Sequence, residues 1–184
     1  MEVIYHGLET RRKSEWILFK TGYYDVLDKW CSNTASGGSA GIVQAAATVH
    51  DYISSNGYYY SQGGDLPGSV KSVKNTRAVC CATFVSWTLY EAGYSWMENC
   101  TNINYCGDLL PFLEANGGTK IMSPTEDKLE AGDILFYGSG GTAHTDIYIG
   151  NGLWYNCGGD SSVKRKDPYH KSLRADAYCI IRFN

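Results

Sequence analysis

Several things are missing from this 184-residue sequence, and each absence narrows what it can be. No apolar run approaches the roughly 20 residues that a helix needs to cross a bilayer, so no membrane partner is expected. Positive charge is not in excess: 16 Lys and Arg stand against 19 Asp and Glu, for a net charge of -3. The strongly basic face that nucleic-acid binding requires is therefore absent, and no nucleic-acid partner is expected. The opening MEVIYHGLET has no apolar core of the kind a secretory signal carries. The reading is synthesis without a signal peptide, in a reducing cytosol that keeps most thiols free. No internal repeat is visible.

What is present fits a globular chain. Apolar residues make up 43% and charged residues 19%, and 184 residues suffice to bury a core. Fifteen tyrosines and five tryptophans suit strands and their edges first, and grooves for peptides or glycans second. Seven cysteines, at positions 31, 80, 81, 100, 106, 157 and 179, leave at least one thiol unpaired in a monomer. Cys100 and Cys106 are spaced unsuitably for zinc, and no second pair completes a set, so neither a metal nor a cofactor is expected. Cys157 and Cys179 lie in apolar segments and read as core.

Residues 1–35 mix charge and aromatics without a clean period and read as an N-terminal extension or joining segment, with a possible partner chain. Residues 36–41 are small and read as a linker, leaving 42–184 as the main domain. Within it, Ile42, Val43, Ala46, Val49, Tyr52 and Ile53 fall at helical spacing, and Asn56-Gly57 ends the helix. His50 lies beside that stripe and is assigned no chemistry. Tyr58 to Gly64 reads as a turn, followed by a loop to Arg77. A second helix follows, with Cys81, Phe84, Val85, Thr88, Leu89 and Ala92 on one face and Gly93 as its stop. A short helix begins near Asp108. From Leu129 onward the pattern changes to strands: AGDILFYG, HTDIYIG, LWYNCG and AYCIIRFN. Helices first and strands later predict an α+β domain, with helices packed on a central antiparallel sheet. The basic residues Lys164, Arg165, Lys166, His170, Lys171 and Arg174 read as a solvated loop.

Two segments could carry chemistry. VCCATFVSW sets Cys80 and Cys81 at a helix start, where the positive dipole end favours a thiolate. One of the two is well placed, and the helix pattern alone leaves open which. HTDIYIGNGLWYNCGG offers His144 as a general base at the head of a strand, with Asn156 and Asp146 as candidates to orient its ring. Thr145, Ile147 and Ile149 should face the core, while His144, Asp146 and Tyr148 face outward or line a groove. The hairpin register decides between the candidates. A two-residue turn at Asn151-Gly152 would pair Asn156 with Ile147 and point it away from His144. A three-residue loop, Gly150 to Gly152, would pair Asn156 with Asp146 on the face of His144.

Taken in order, these segments resemble the NlpC-type cysteine peptidases, papain-like enzymes that cut peptidoglycan stem peptides. Cys80-Cys81-Ala82-Thr83-Phe84-Val85 matches the family's D-C-S-G-F-V run, with Cys80 at the usual Asp. Tyr60-Ser61-Gln62-Gly63-Gly64 matches its upstream tyrosine and glycine pair. Gly132-Asp133 and the run from His144 to Gly152 match its downstream strands. The resemblance covers roughly residues 41–184 and implies the papain-like NlpC-type fold. It implies Cys81 as nucleophile, His144 as base and Asn156 as the third polar residue. Tyr60, Cys80 and Asp146 would contact substrate. The implied reaction cleaves the D-Glu to diamino acid bond of a stem peptide on the bacterial cell wall. The protein would reach the wall as a phage lysin, on a virion, or by injection. The same site would also suit a muramoyl-alanine amidase, a deamidase or an acyltransferase. A non-catalytic phage structural or binding module is the reading from a different class.

Overall fold

The computed structural model describes residues 38–184. The extension assigned to residues 1–35 lies outside the described residues. Helix α1 spans Ser39–Ser55, so the last three residues of the expected linker form its first turn. Of its expected stripe, Ile42, Val43, Ala46, Val49 and Ile53 are buried while Tyr52 is exposed, and Asn56 and a left-handed Gly57 end the helix. His50 is buried too. It rests against the rings of Phe84 and Tyr155, and its Nε2 lies 3.1 Å from the Ser162 carbonyl. Burial holds its pKa down at about 4, so it packs as a neutral ring.

The expected turn after α1 contains a short strand. β1 (Tyr59–Tyr60) pairs in parallel with β2 (Ala78–Val79). Between them lie a 3-10 turn (Val70–Ser72) and the short helix α2 (Val73–Thr76). This β1–β2 pair carries Tyr60 to the head of the next helix. α3 spans Cys81–Glu91. Its buried residues run without a break from Ala82 to Leu89, so it is an internal helix rather than the one-faced helix its stripe suggested. Trp87 and Phe84 are fully enclosed, and each such side chain contributes roughly 1.5–3 kcal/mol of burial. Ala92 and a left-handed Gly93 close the helix, with Tyr94 N–H donating to the Leu89 carbonyl. α4 spans Cys106–Ala115, two residues earlier than expected.

Six strands form one antiparallel sheet in the order β3-β8-β4-β5-β6-β7. They are β3 (Thr119–Met122), β4 (Ile134–Tyr137), β5 (His144–Gly150), β6 (Leu153–Tyr155), β7 (Tyr169–His170) and β8 (Ala177–Arg182). A one-turn helix, α5 (Asp160–Val163), lies between β6 and β7. The edge strands β3 and β7 carry no alternation in the sequence. Their burial is partial at best, so nothing imposed one. Gly132, with φ +96°, precedes β4 where a Cβ would lie 2.7 Å from the Ser39 backbone, so only glycine allows α1 to start there. Next to it, Asp133 is buried, bonds the Glu130 N–H and pairs with Arg182 at 2.8 Å, tying β4 to β8.

The two sides of the sheet differ. α1 and α3 pack on the side of Ile147 and Tyr155. The opposite side carries its own cluster of Leu135, Tyr137, Trp154 and Ile180, flanked by Tyr169 and Leu173. His144 pairs with Tyr137, and Asp146 with Leu135, so both point to this second side.

The β5–β6 hairpin resolves the register question in an unexpected way. Gly150 pairs with Leu153 around a two-residue Asn151-Gly152 turn with φ of 52° and 69°, the left-handed pair that a tight hairpin favours. A bulge at Ile149 then adds one residue to β5, giving Tyr148↔Trp154 and Ile147↔Tyr155. The register next to the site is thus the one expected of a three-residue loop, and Asn156 comes level with Asp146.

Candidate active site

Cys81 is the first residue of α3, and Cys80 is its cap in an extended conformation. The two adjacent thiols therefore point differently. The Cys80 thiol is buried, 3.2 Å from Thr83 Oγ1 and 3.4 Å from the Asn104 carbonyl. Its hydrogen bond with Cys81, together with burial, pushes it far above the usual thiol range. It can neither ionise readily nor touch a substrate, which corrects its expected place in the binding surface. Cys81 is partly exposed.

His144 lies near enough to Cys81 for the thiol to contribute to its pKa. Its ring is held on three sides. Tyr137 stacks at 5.7 Å between centroids and 29° between planes. Gly158 closes another side, and a Cβ there would fall 2.6 Å from Cε1. Asp146 Oδ1 accepts a hydrogen bond from Nε2 at 2.6 Å. With Nε2 so engaged, Nδ1 is the nitrogen left for the thiol. Burial works against an imidazolium here. The hydrogen bonds and charges of Asp146 and Cys81 outweigh it and hold the pKa up at about 9, against an ordinary 6.5.

Asp146 is wholly buried, so it does not line a substrate surface as expected. Its other oxygen pairs with Lys171 Nζ. Burial would raise the carboxyl, but His144 and Lys171 prevail and keep it at about 2. Lys171 is correspondingly not a solvated loop residue. Its ammonium lies 3.3 Å from the Tyr137 hydroxyl and sits over the rings of Trp154, at 4.5 Å, and Tyr137, at 4.9 Å. Arg165 and Arg174 likewise cover Tyr169 and Tyr137. Sequence reading missed this box, because nothing local connects position 171 to position 146.

Asn156 is brought to the site but is not the closest partner of the ring. Its Nδ2 is 3.4 Å from His144 Nε2 and 2.6 Å from the Tyr169 hydroxyl, while its buried Oδ1 has no partner. Turned over, the same amide would offer that oxygen to both groups. Burial, and then the charge of nearby Cys81, raises the pKa of Tyr60, and Gln62 Nε2 donates to its hydroxyl at 2.6 Å. The cleft beside His144 has a volume of about 330 Å³ and is lined by Asn156, Gly158, Ser161, Arg165 and Tyr169. A larger cleft of about 520 Å³, between Glu126, Tyr148, Trp154 and His170, is lined by neither Cys81 nor His144. Among the described residues no cluster suits a metal ion.

The site thus combines a thiol at a helix start, an imidazole near it and a buried carboxylate behind the imidazole, on an α+β fold. The family profile of NlpC/P60 matches residues 57–182, and the chain belongs to the NlpC/P60 family. Members of this family act on peptidoglycan of the cell wall. Among solved structures, the chain is similar to a variant of the resuscitation promoting factor interacting protein RipA, with 21% identity and a TM-score of 0.47. The match covers 77% of this chain and 63% of that one, so this chain spans less than two thirds of that protein's length. The peptidoglycan hydrolase RipB of Mycobacterium tuberculosis matches at 20% identity and TM-score 0.46, over 86% of this chain and 80% of that one. RipD of the same organism, described as a non-catalytic domain adapted to peptidoglycan binding, matches at 17% identity and TM-score 0.46, over 77% and 96%. No curated protein sequence matches closely enough to count as a relative.

Proposed function

We propose that this protein is a thiol peptidase that cleaves peptidoglycan stem peptides between D-Glu and the diamino acid. The observation that carries the reading is the set Cys81, His144 and Asp146, with the thiol partly exposed and the carboxylate buried behind the imidazole. His144 takes the Cys81 proton through Nδ1, and Asp146 stabilises the imidazolium that results. The thiolate attacks the peptide carbonyl. The backbone N–H of Cys81, in the first turn of α3 where no residue four back accepts it, bonds the developing oxyanion. Tyr60 holds the substrate's amine or that same oxygen. His144 then returns the proton to the leaving amine, and water releases the acyl group. Asn156 and Tyr169 support the exposed edge of the ring.

The test is digestion of purified peptidoglycan by wild type, Cys81→Ala and Cys80→Ala, with released fragments read by mass. Wild type and Cys80→Ala are expected to release fragments cut after D-Glu, and Cys81→Ala none. Fragments cut at the muramoyl–alanine bond would instead make the protein an amidase using the same groups. A wild type that sediments with wall but releases nothing would make it a binding module.

A further inference from the structure

Acyl transfer at Cys81 leaves one close neighbour of its sulfur unused. The Cys106 sulfur lies 3.8 Å away, in van der Waals contact. The two thiols open two different helices, α3 and α4, whose first turns converge here. Cys106 is buried and Cys81 partly exposed, so an oxidant from solvent meets Cys81 first. Cys80 also adjoins Cys81, but its thiol is turned to Thr83 and Asn104. A bond between adjacent cysteines would also close a small ring around a peptide unit that must stay near planar. Cys157 is fully enclosed on the sheet side.

We propose that Cys106 is the resolving thiol for Cys81, and that the pair is a reversible oxidation site that switches the protein off. In the first step the Cys81 sulfur attacks a peroxide oxygen. The O–O bond breaks, giving a sulfenic acid and one water. In the second, the Cys106 sulfur attacks the Cys81 sulfur. The S–S bond forms, the S–O bond breaks, and hydroxide leaves with the Cys106 proton as a second water. Two thiols lose two electrons and two protons, and one peroxide becomes two waters. A dithiol reverses the bond by exchange. The sulfurs must approach by roughly 2 Å to reach disulfide length, a shift within reach of side-chain rotation. Without a resolving thiol, sulfenic acid proceeds to sulfinic acid, which dithiols do not reduce. The switching consequence rests on Cys81 being the nucleophile, whereas the bond itself does not.

The experiment treats the reduced full chain with limiting hydrogen peroxide, alkylates the remaining thiols and maps peptides by mass. Wild type is expected to give a Cys81–Cys106 cross-linked pair, to lose wall digestion in step with it, and to regain both free thiols and digestion with dithiothreitol. Cys106→Ala, and Cys106→Ser should alanine weaken the fold, are expected to digest wall when reduced. After peroxide they should carry sulfinic acid at Cys81 that dithiothreitol does not recover. A Cys80–Cys81 link, or Cys81 sulfinic acid in wild type with Cys106 still alkylated, overturns the proposal. A Cys81–Cys106 link in a protein that never digests wall supports the pairing and counts against the peptidase reading, so the two fail separately.

Discussion

The two sides of strand β5 carry opposite kinds of burial. Toward α1 and α3, Ile147 lies beside Tyr155, and Tyr155 and Phe84 close on the neutral His50 ring in a buried layer. Toward the β6–β8 loops, Asp146 is equally enclosed, but it is charged and shared between His144 and Lys171. Because strand side chains alternate, one residue separates the layer that holds the fold from the layer that builds the site. The apolar layer tolerates a change in shape at a cost in stability. The charged layer tolerates no loss of one partner, since the other is left ionised and buried.

The largest expected effect is on the charged side. Asp146→Asn should lower kcat/KM for wall digestion roughly 100-fold or more, because the ring loses its orienting acceptor and the imidazolium its counter-charge. The double variant Asp146→Asn with Lys171→Met removes the unpaired ammonium and should keep that loss while restoring the fold, as read by thermal melting. Asn156→Ala should cost less than about tenfold, in keeping with its 3.4 Å separation from the ring. A larger loss at Asn156 than at Asp146 would reverse the assignment. On the apolar side, Phe84→Ala should cost about 3–5 kcal/mol of unfolding free energy by denaturant titration, with the pH profile of the remaining activity unmoved. Gly158→Ala should displace the His144 ring and lower kcat about tenfold, with little change in melting temperature. The smallest effect belongs to the exposed Arg174–Asp176 pair, where Asp176→Ala should change stability by no more than about 1 kcal/mol.

The pH dependence has a definite sign. The His144 pKa is raised in the folded state, so its contribution to stability is complete below 6.5 and is lost as pH rises through about 9. Asp146 is lowered, so its contribution is present above the ordinary carboxylate value of 3.8 and is lost as pH falls through about 2. Activity should show an alkaline limb near pH 9, where His144 loses the proton it returns to the leaving amine. Asp146→Asn should move that limb to lower pH, and a limb that stays in place would remove Asp146 from the role of counter-charge.

Part of the candidate site was legible because it is local. Cys81 at the head of an apolar run and His144 at the head of an alternating run are set by patterns within a dozen residues. Asn156 could be tied to His144 because one hairpin joins them, although the bulge at Ile149, and not a longer turn, produced the register. The choice between Cys80 and Cys81 was not legible from helix geometry, since it depends on Thr83 and Asn104 drawing one thiol inward. Lys171 was misread because a basic loop looks solvated until the chain folds it over Tyr137 and Trp154.

The sequence by itself determined the main helices and strands, the antiparallel sheet they form, and a thiol pair and an imidazole at the heads of two elements, because hydrophobic period and capping act over neighbouring residues. Only the tertiary structure decided that Asp146 rather than Asn156 lies closest behind the base, that Lys171 neutralises it, and that Cys106 reaches Cys81. The last two join side chains 25 residues apart that meet in the folded chain, and the first depends on how two neighbours of one imidazole settle around it, so no local pattern encodes the outcome.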